Sequence, residues 1–282
     1  MAGSTQAWLH ARVNDLLDRL ERYYDAVPRS AARAESFGPL SLFVREGEGW
    51  PYYARPTLDW SGAPVTVADV DLVRARQREL GVPESFEWVA ETTPVLRAAV
   101  EGSGLSVHEH PLMVLDPAAP AMTPPAAAAR VVGADDPALA EALAVAYLSF
   151  GEPGTAIGTA GPDELAAMTA KLTAEGTAAR IAGRIRDGLT VVAAAFGPDG
   201  TALCGGQHQP VGPVSELVGI GTLPSARRQG LGYAVTAALV ADARARGVET
   251  VFLSAGDQDV ARIYARVGFR PVGTALIAEP AE

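Results

Sequence analysis

Residues 215–232 read S-E-L-V-G-I-G-T-L-P-S-A-R-R-Q-G-L-G. Apolar residues alternate along its first half, and Pro224 closes the strand they predict. A turn bearing Arg227, Arg228, Gln229, Gly230 and Gly232 then leads into an Ala-rich run with Leu231, Ala234, Val235, Ala238 and Leu239 on one helical face. Strand, arginine-bearing turn and helix N-terminus together suit a pyrophosphate. The glycines let an anion approach the main chain at the positive end of the helix, and the guanidinium groups add donors and charge. The glycine spacing is not G-x-G-x-x-G and no acidic residue ends the next strand, which disfavours a dinucleotide.

The remaining chain bounds the partners. A net charge of -10 in 282 residues disfavours nucleic acid, and 48% hydrophobic residues with a mean hydropathy of +0.12 describe a packed globular protein. No apolar run reaches membrane-spanning length, and the N-terminal stretch with Trp8, Leu9, Val13, Leu16, Leu17, Leu20 and Tyr24 reads as an amphipathic helix instead of a signal peptide. The lone cysteine, Cys204, forbids an intrachain disulfide, fits a cytoplasmic setting and reads as a buried structural thiol. The four histidines have no metal-ligand spacing, so no metal is expected.

Four prolines within residues 116–128 argue against helix or sheet and mark a linker. Before it, residues 29–35 read as a loop, 40–44 and 52–55 as strands, 67–80 as a helix capped by Thr66, 85–90 as a strand, a helix after Pro94, and 105–115 as a strand. After it come a short strand, a helix ending at Phe150, a glycine-rich segment at 151–161 that reads as a mobile loop, and a helix from Pro162 with a kink at Gly176. Three strands, the opening turn and its helix, a strand, a helix and a final strand at 272–278 complete the chain. The two halves share a pattern: helix, Gly81-Val82, strand, helix, Gly104-Leu105, strand is matched by helix, Gly247-Val248, strand, helix, Gly268-Phe269, strand.

The run P-S-A-R-R-Q-G-L-G, followed some thirty residues later by A-R-I-Y-A-R-V-G-F, resembles the GNAT superfamily of acyl-CoA-dependent N-acyltransferases. The resemblance covers about residues 129–278. It implies an α/β (α+β) fold of two GNAT-like domains, each a mixed, mostly antiparallel sheet flanked by helices. Residues 1–115 would be a degenerate domain, 116–128 the linker and 129–282 the catalytic domain. It implies acetyl-CoA as cosubstrate, held by the turn residues Arg227, Arg228, Gln229, Gly230, Leu231 and Gly232 and by the main chain of Ile220, Gly221 and Thr222 beside the pantetheine arm. Thr222 stands where the family usually has an aliphatic residue. Asp257 occupies a slot where the family often has an asparagine near the pantetheine, and an ionised carboxylate there can accept but not donate.

Tyr264 matches the family's acid for the departing thiolate, and an ordinary pKa of about 10 keeps its proton available. Glu216 is the candidate base. It shares strand parity with Val218, Ile220 and Thr222, which points it to the same face. His208, on the preceding strand, is the second candidate. In the first half, Ser61, Pro64 and Thr66 stand where Arg227, Gly230 and Gly232 would align, Val100 replaces Tyr264, and Asp69 and Asp71 would repel phosphate. One active site is therefore expected. The leading function is acetyl transfer to a primary amine of a small molecule or peptide. The alternatives are a non-catalytic acyl-CoA-binding sensor or scaffold and transfer from aminoacyl-tRNA, the latter disfavoured by the coenzyme turn and the charge. A homodimer is compatible with the chain; neither nucleic acid nor membrane is an expected partner.

Overall fold

In the computed structural model, residues 2–120, 122 and 129–281 are described, with side chains from residue 13 onward. The linker stretch at 121 and 123–128, and the apolar face expected at Trp8 and Leu9, lie outside them. Contacts divide the chain into two units. One comprises residues 1–113, 254–258 and 271–282, and the other 114–253 and 259–270.

The first unit carries helices α1 (Ala2–Ala26), α2 (Val67–Leu80) and α3 (Leu96–Gly102). Its strands are β1 (Ala32–Phe37), β2 (Leu40–Arg45), β3 (Ala54–Pro56), β4 (Phe86–Val89) and β5 (Leu105–Leu115), with the last strand of the whole chain, β11 (Phe269–Pro280), set between β4 and β5. β11 runs antiparallel to β4, Ala275 facing Val89 and Ala278 facing Phe86. Leu276 and Ala278 are buried with Trp88, Val70, Val73 and Leu96. Residues 271–282, expected in the catalytic domain, thus belong by their contacts to the first unit. β1 is a second difference. Residues 32–35 read as loop because only Ala32 of this edge strand is buried, and Arg33, Ala34 and Ser36 on it are exposed.

The second unit orders its strands β10 (Thr250–Ser254), β9 (Val214–Thr222), β8 (Ala202–Val211), β7 (Val191–Phe196), β6 (Ala129–Val132). All neighbours are antiparallel except β9 and β10. Around them lie α4 (Leu139–Gly151), α5 (Pro162–Ala174), α6 (Thr177–Arg186), α7 (Leu231–Ala245) and α8 (Gln258–Ala265). Where one kinked helix was expected, Gly176 at φ +70° separates α5 from α6. Each unit is α+β with a mixed, mostly antiparallel sheet. Each contains a strand, a helix and a parallel strand: β3-α2-β4 in the first, β9-α7-β10 in the second. The glycines that aligned the halves, Gly81 with Gly247 and Gly104 with Gly268, all have positive φ.

β3 and β4 pair only at Ala54 and Phe86. Just past that pair stands Arg55, 1% exposed, which donates to Glu21 of α1 and lies over the Tyr24 ring. Glu21 also accepts from Thr92 Oγ1 at 2.5 Å. Glu87 is the next residue on β4, and burial pushes its pKa up to about 7 even though Arg55 pulls it down. The folded chain thus holds a proton that the unfolded chain releases near pH 4.5, so stability is lost as pH rises through 7. Glu87→Gln is expected to stabilise the protein by about 2–3 kcal/mol at pH 8 and by almost nothing at pH 4. Denaturant melts at the two pH values measure this.

Candidate active site

β9 and β10 pair from Val214–Thr250 to Glu216–Phe252, and from there the two strands part. Glu216 therefore stands at the apex of a fork, and residues 217–222 carry the open edge of β9. On its other side β9 is irregular. Gly205 faces Gly221 and Gln207 faces Val218, so Gly206 alone opposes both Gly219 and Ile220. This is a β-bulge, and Gly219 supplies it with φ +63°.

The bulge resets the alternation and corrects the shared parity expected of Glu216. Ser215 Oγ meets His208 Nδ1 at 2.8 Å, and His208 Nε2 meets Asp242 Oδ2 of α7 at 2.9 Å. A Cβ on Gly206 would touch Ile220 Cγ1 and Val235 Cγ1 of α7, and one on Gly232 of α7 would lie 3.9 Å from Thr222 Oγ1. Ser215, Ile220 and Thr222 hence face α7, whereas Glu216, next to Ser215, points to the opposite face. Only Val218 shares its side.

The same bonds remove His208 as a base. Its side chain is fully buried and both ring nitrogens are engaged. Burial pushes the imidazole below its ordinary pKa, outweighing the pull of Asp242. Burial likewise pushes the Asp242 pKa up, but hydrogen bonds from Arg246 and His208 hold it below the usual range. This network ties β8 and β9 to α7.

At the turn the two arginines separate in role. Arg227 is 8% exposed and faces inward. Its Nη1 donates to Ala156 O at 3.0 Å, and its Nη2 to Ser149 O at 3.1 Å and Glu152 O at 2.5 Å. This guanidinium is spent on three carbonyls, which corrects the expectation that it grips phosphate. Arg228 is exposed and adopts φ +65°, and among the described residues its side chain forms no hydrogen bond or ion pair. Gly230, at φ +75°, precedes α7 with no side-chain cap. Left-handed residues at 228 and 230 and the uncapped N–H groups of α7 make a concave set of donors. Gln229 is exposed beside them, Gly232 lies in the first turn, and the Leu231 side chain is buried beneath.

Residues 151–161, expected to be mobile, are tethered. Glu152 accepts from the N–H groups of Thr159 at 2.9 Å and Ala160 at 2.7 Å, which hold its pKa below the usual range. Gly158 N donates to Pro224 O and Ser225 N to Ala160 O. With the three Arg227 bonds, the loop is fastened to the turn. Gly205 and Gly221 admit α4 to the sheet, since a Cβ would lie 2.2 Å from Ala142 O in the first case and 2.6 Å from Ser149 Cβ in the second.

Tyr264, on α8, is half-buried, with its ring edge-on to Phe269 at 5.8 Å. Burial, helped by the nearby Cys204 sulfur, raises the phenol pKa above its ordinary value. Burial also pushes the Cys204 thiol up to about 12, and Thr222 Oγ1 donates to its sulfur at 3.4 Å. That thiol is inert. Asp257, exposed just before α8, falls in the first unit by its contacts.

Residues 173–269 match the model of the acetyltransferase (GNAT) family. Among curated proteins, none matches the chain. Among solved structures, the fold is similar to a GCN5-related N-acetyltransferase from Kribbella flavida (TM-score 0.68, 23% identity, 94% of this chain and 96% of that one). It is similar also to a putative GNAT-family acetyltransferase from Novosphingobium aromaticivorans (TM-score 0.52, 16% identity, 90% and 94%). A tandem GNAT protein from the clavulanic acid biosynthesis pathway matches with TM-score 0.52 and 16% identity over 86% of this chain and 79% of that one. The fold over nearly the whole chain is thus similar to that of GNAT proteins, and the segment 173–269, which carries the β9 fork, the α7 turn and Tyr264, matches the GNAT acetyltransferase family.

Proposed function

We propose that the second unit transfers an acetyl group from acetyl-CoA to a primary amine of a small molecule or peptide. The observation that carries this reading is the uncapped α7 N-terminus with Arg228 free beside it, at the end of a strand whose edge is open beyond Glu216. Arg228, Gln229 and the N–H groups of residues 230–232 would take the pyrophosphate. The main chain of Ile220, Gly221 and Thr222 would run beside the pantetheine arm, with N–H groups available to a developing oxyanion. The amine attacks the thioester carbonyl, a C–N bond forms, and the C–S bond breaks. Glu216, at the fork apex, accepts the proton that the ammonium loses, directly or through water, and Tyr264 gives its proton to the departing thiolate.

The first unit lacks the same opening. The N-terminus of α2 is closed by a capping box, Thr66 N donating to Asp69 Oδ2 at 2.8 Å and Asp69 N to Thr66 Oγ1 at 3.3 Å. Arg55 and Glu21 fill the place where β3 and β4 part. The first unit is read as a degenerate, non-catalytic partner of the second.

Thiol release from acetyl-CoA, followed across a panel of amines, tests the reading. Arg228→Gly relieves the positive φ while removing the charge, so the KM for acetyl-CoA is expected to rise about tenfold with melting temperature held within a few degrees. If coenzyme binds but no amine releases thiol, the chain is a coenzyme-binding scaffold and not an enzyme.

A further inference from the structure

The first residues of the linker do not leave α8 alone. Asp116 N donates to Gly268 O at 2.9 Å, just past the end of α8, and Asp116 O accepts from Ala119 N at 2.9 Å. The Asp116 carboxylate accepts from Ala118 N at 2.9 Å through Oδ1, and its Oδ2 lies 3.4 Å from Arg270 Nη1. The turn so formed sets the Ala119 methyl against Gly268, where an added Cβ would come within 2.7 Å of it. Gly268 is at φ +98°, and its N–H donates to Ala265 O as Val267 N donates to Tyr264 O. One turn of chain therefore separates this seat from Tyr264, whose ring packs on the buried Phe269 beside it.

We propose that residues 116–120 are a strap that positions Tyr264, with Asp116 as a positioning residue for protonation of the leaving thiolate. This rests on the reading of Tyr264 as the acid. The Asp116–Arg270 pair is partly solvent-exposed and long at 3.4 Å, so it adds little stability, and the role of Asp116 lies in shaping the turn that fixes the end of α8. A proton donor misplaced by a fraction of an ångström transfers less well, while coenzyme binding at the α7 turn is untouched.

The test uses the full chain, acetyl-CoA and an amine that supports turnover. Asp116→Ala is expected to lower kcat about tenfold with the KM for acetyl-CoA within twofold. Asp116→Asn keeps an acceptor for Ala118 N and is expected to recover most of the loss. Asp116→Ala placed on Tyr264→Phe is expected to add nothing, because the group it positions is gone. The strap is overturned if Asp116→Ala keeps full kcat, if Asn does no better than Ala, or if the losses multiply. Should Asp116→Ala fail to fold, Ala119→Gly, which takes the methyl away from Gly268, takes its place, with a lowered kcat and the same non-additivity on Tyr264→Phe expected. If Tyr264→Phe itself turns over at the unaltered rate, the acid reading falls and the strap falls with it. A slow Tyr264→Phe beside an undiminished Asp116→Ala removes the strap alone.

Discussion

Tyr264→Phe is expected to lower turnover about a hundredfold while acetyl-CoA binds within twofold of the unaltered affinity. The substitution keeps the ring, and so the edge-on contact with Phe269, and removes only the hydroxyl. Because burial raises the phenol pKa, the group stays protonated through the neutral range and well into alkali. No descending limb from this residue is then expected in the pH–rate profile below pH 10. The loss should shrink when the donor carries a thiol of lower pKa, since a better leaving group needs its proton less. Steady-state rates with two acetyl thioesters measure this, and an equal loss with both would count against the acid.

The second large effect belongs to Arg227. Arg227→Ala is expected to cost about 3 kcal/mol of stability, because three carbonyls from residues 149–156 lose a charged donor at a site only 8% exposed. Proteolytic nicking should appear between residues 152 and 159, where the backbone is largely exposed and the tether is lost. Acetyl-CoA affinity should fall too, since the adjacent Arg228 is held in a left-handed conformation by a turn anchored on this side chain. Arg227→Lys is expected to recover only part of the loss, lacking the planar fork that reaches several carbonyls together.

The parts of the site that were legible in the sequence are those whose chemistry is local. Thr66 and Asp69 announce their capping box three residues apart, and Gly230 at the head of an apolar-striped helix announces an open N-terminus. The parts that were not legible depend on residues far away along the chain. Which of two adjacent arginines turns inward is decided by carbonyls 71 to 78 residues earlier. The tether of the 151–161 loop rests likewise on Pro224 and Arg227, whereas its glycines alone suggest motion. The bulge had a local signal. Two glycines in V-G-I-G within one strand often mark an extra residue, and reading Gly219 that way would have placed Glu216 on the correct face.

Synthesis order and folding order oppose each other in this chain. β6 to β10 lie close together in sequence and complete the second unit's sheet among themselves. The first unit emerges earlier from the ribosome, yet the place between its β4 and β5 is reserved for β11, which is translated after every strand of the second unit. Until Leu276 and Ala278 arrive, Phe86–Val89 offer one open strand edge beside an unfinished core. The half made first therefore folds last. A premature stop codon before Phe269 damages the half of the protein farthest from it in the gene.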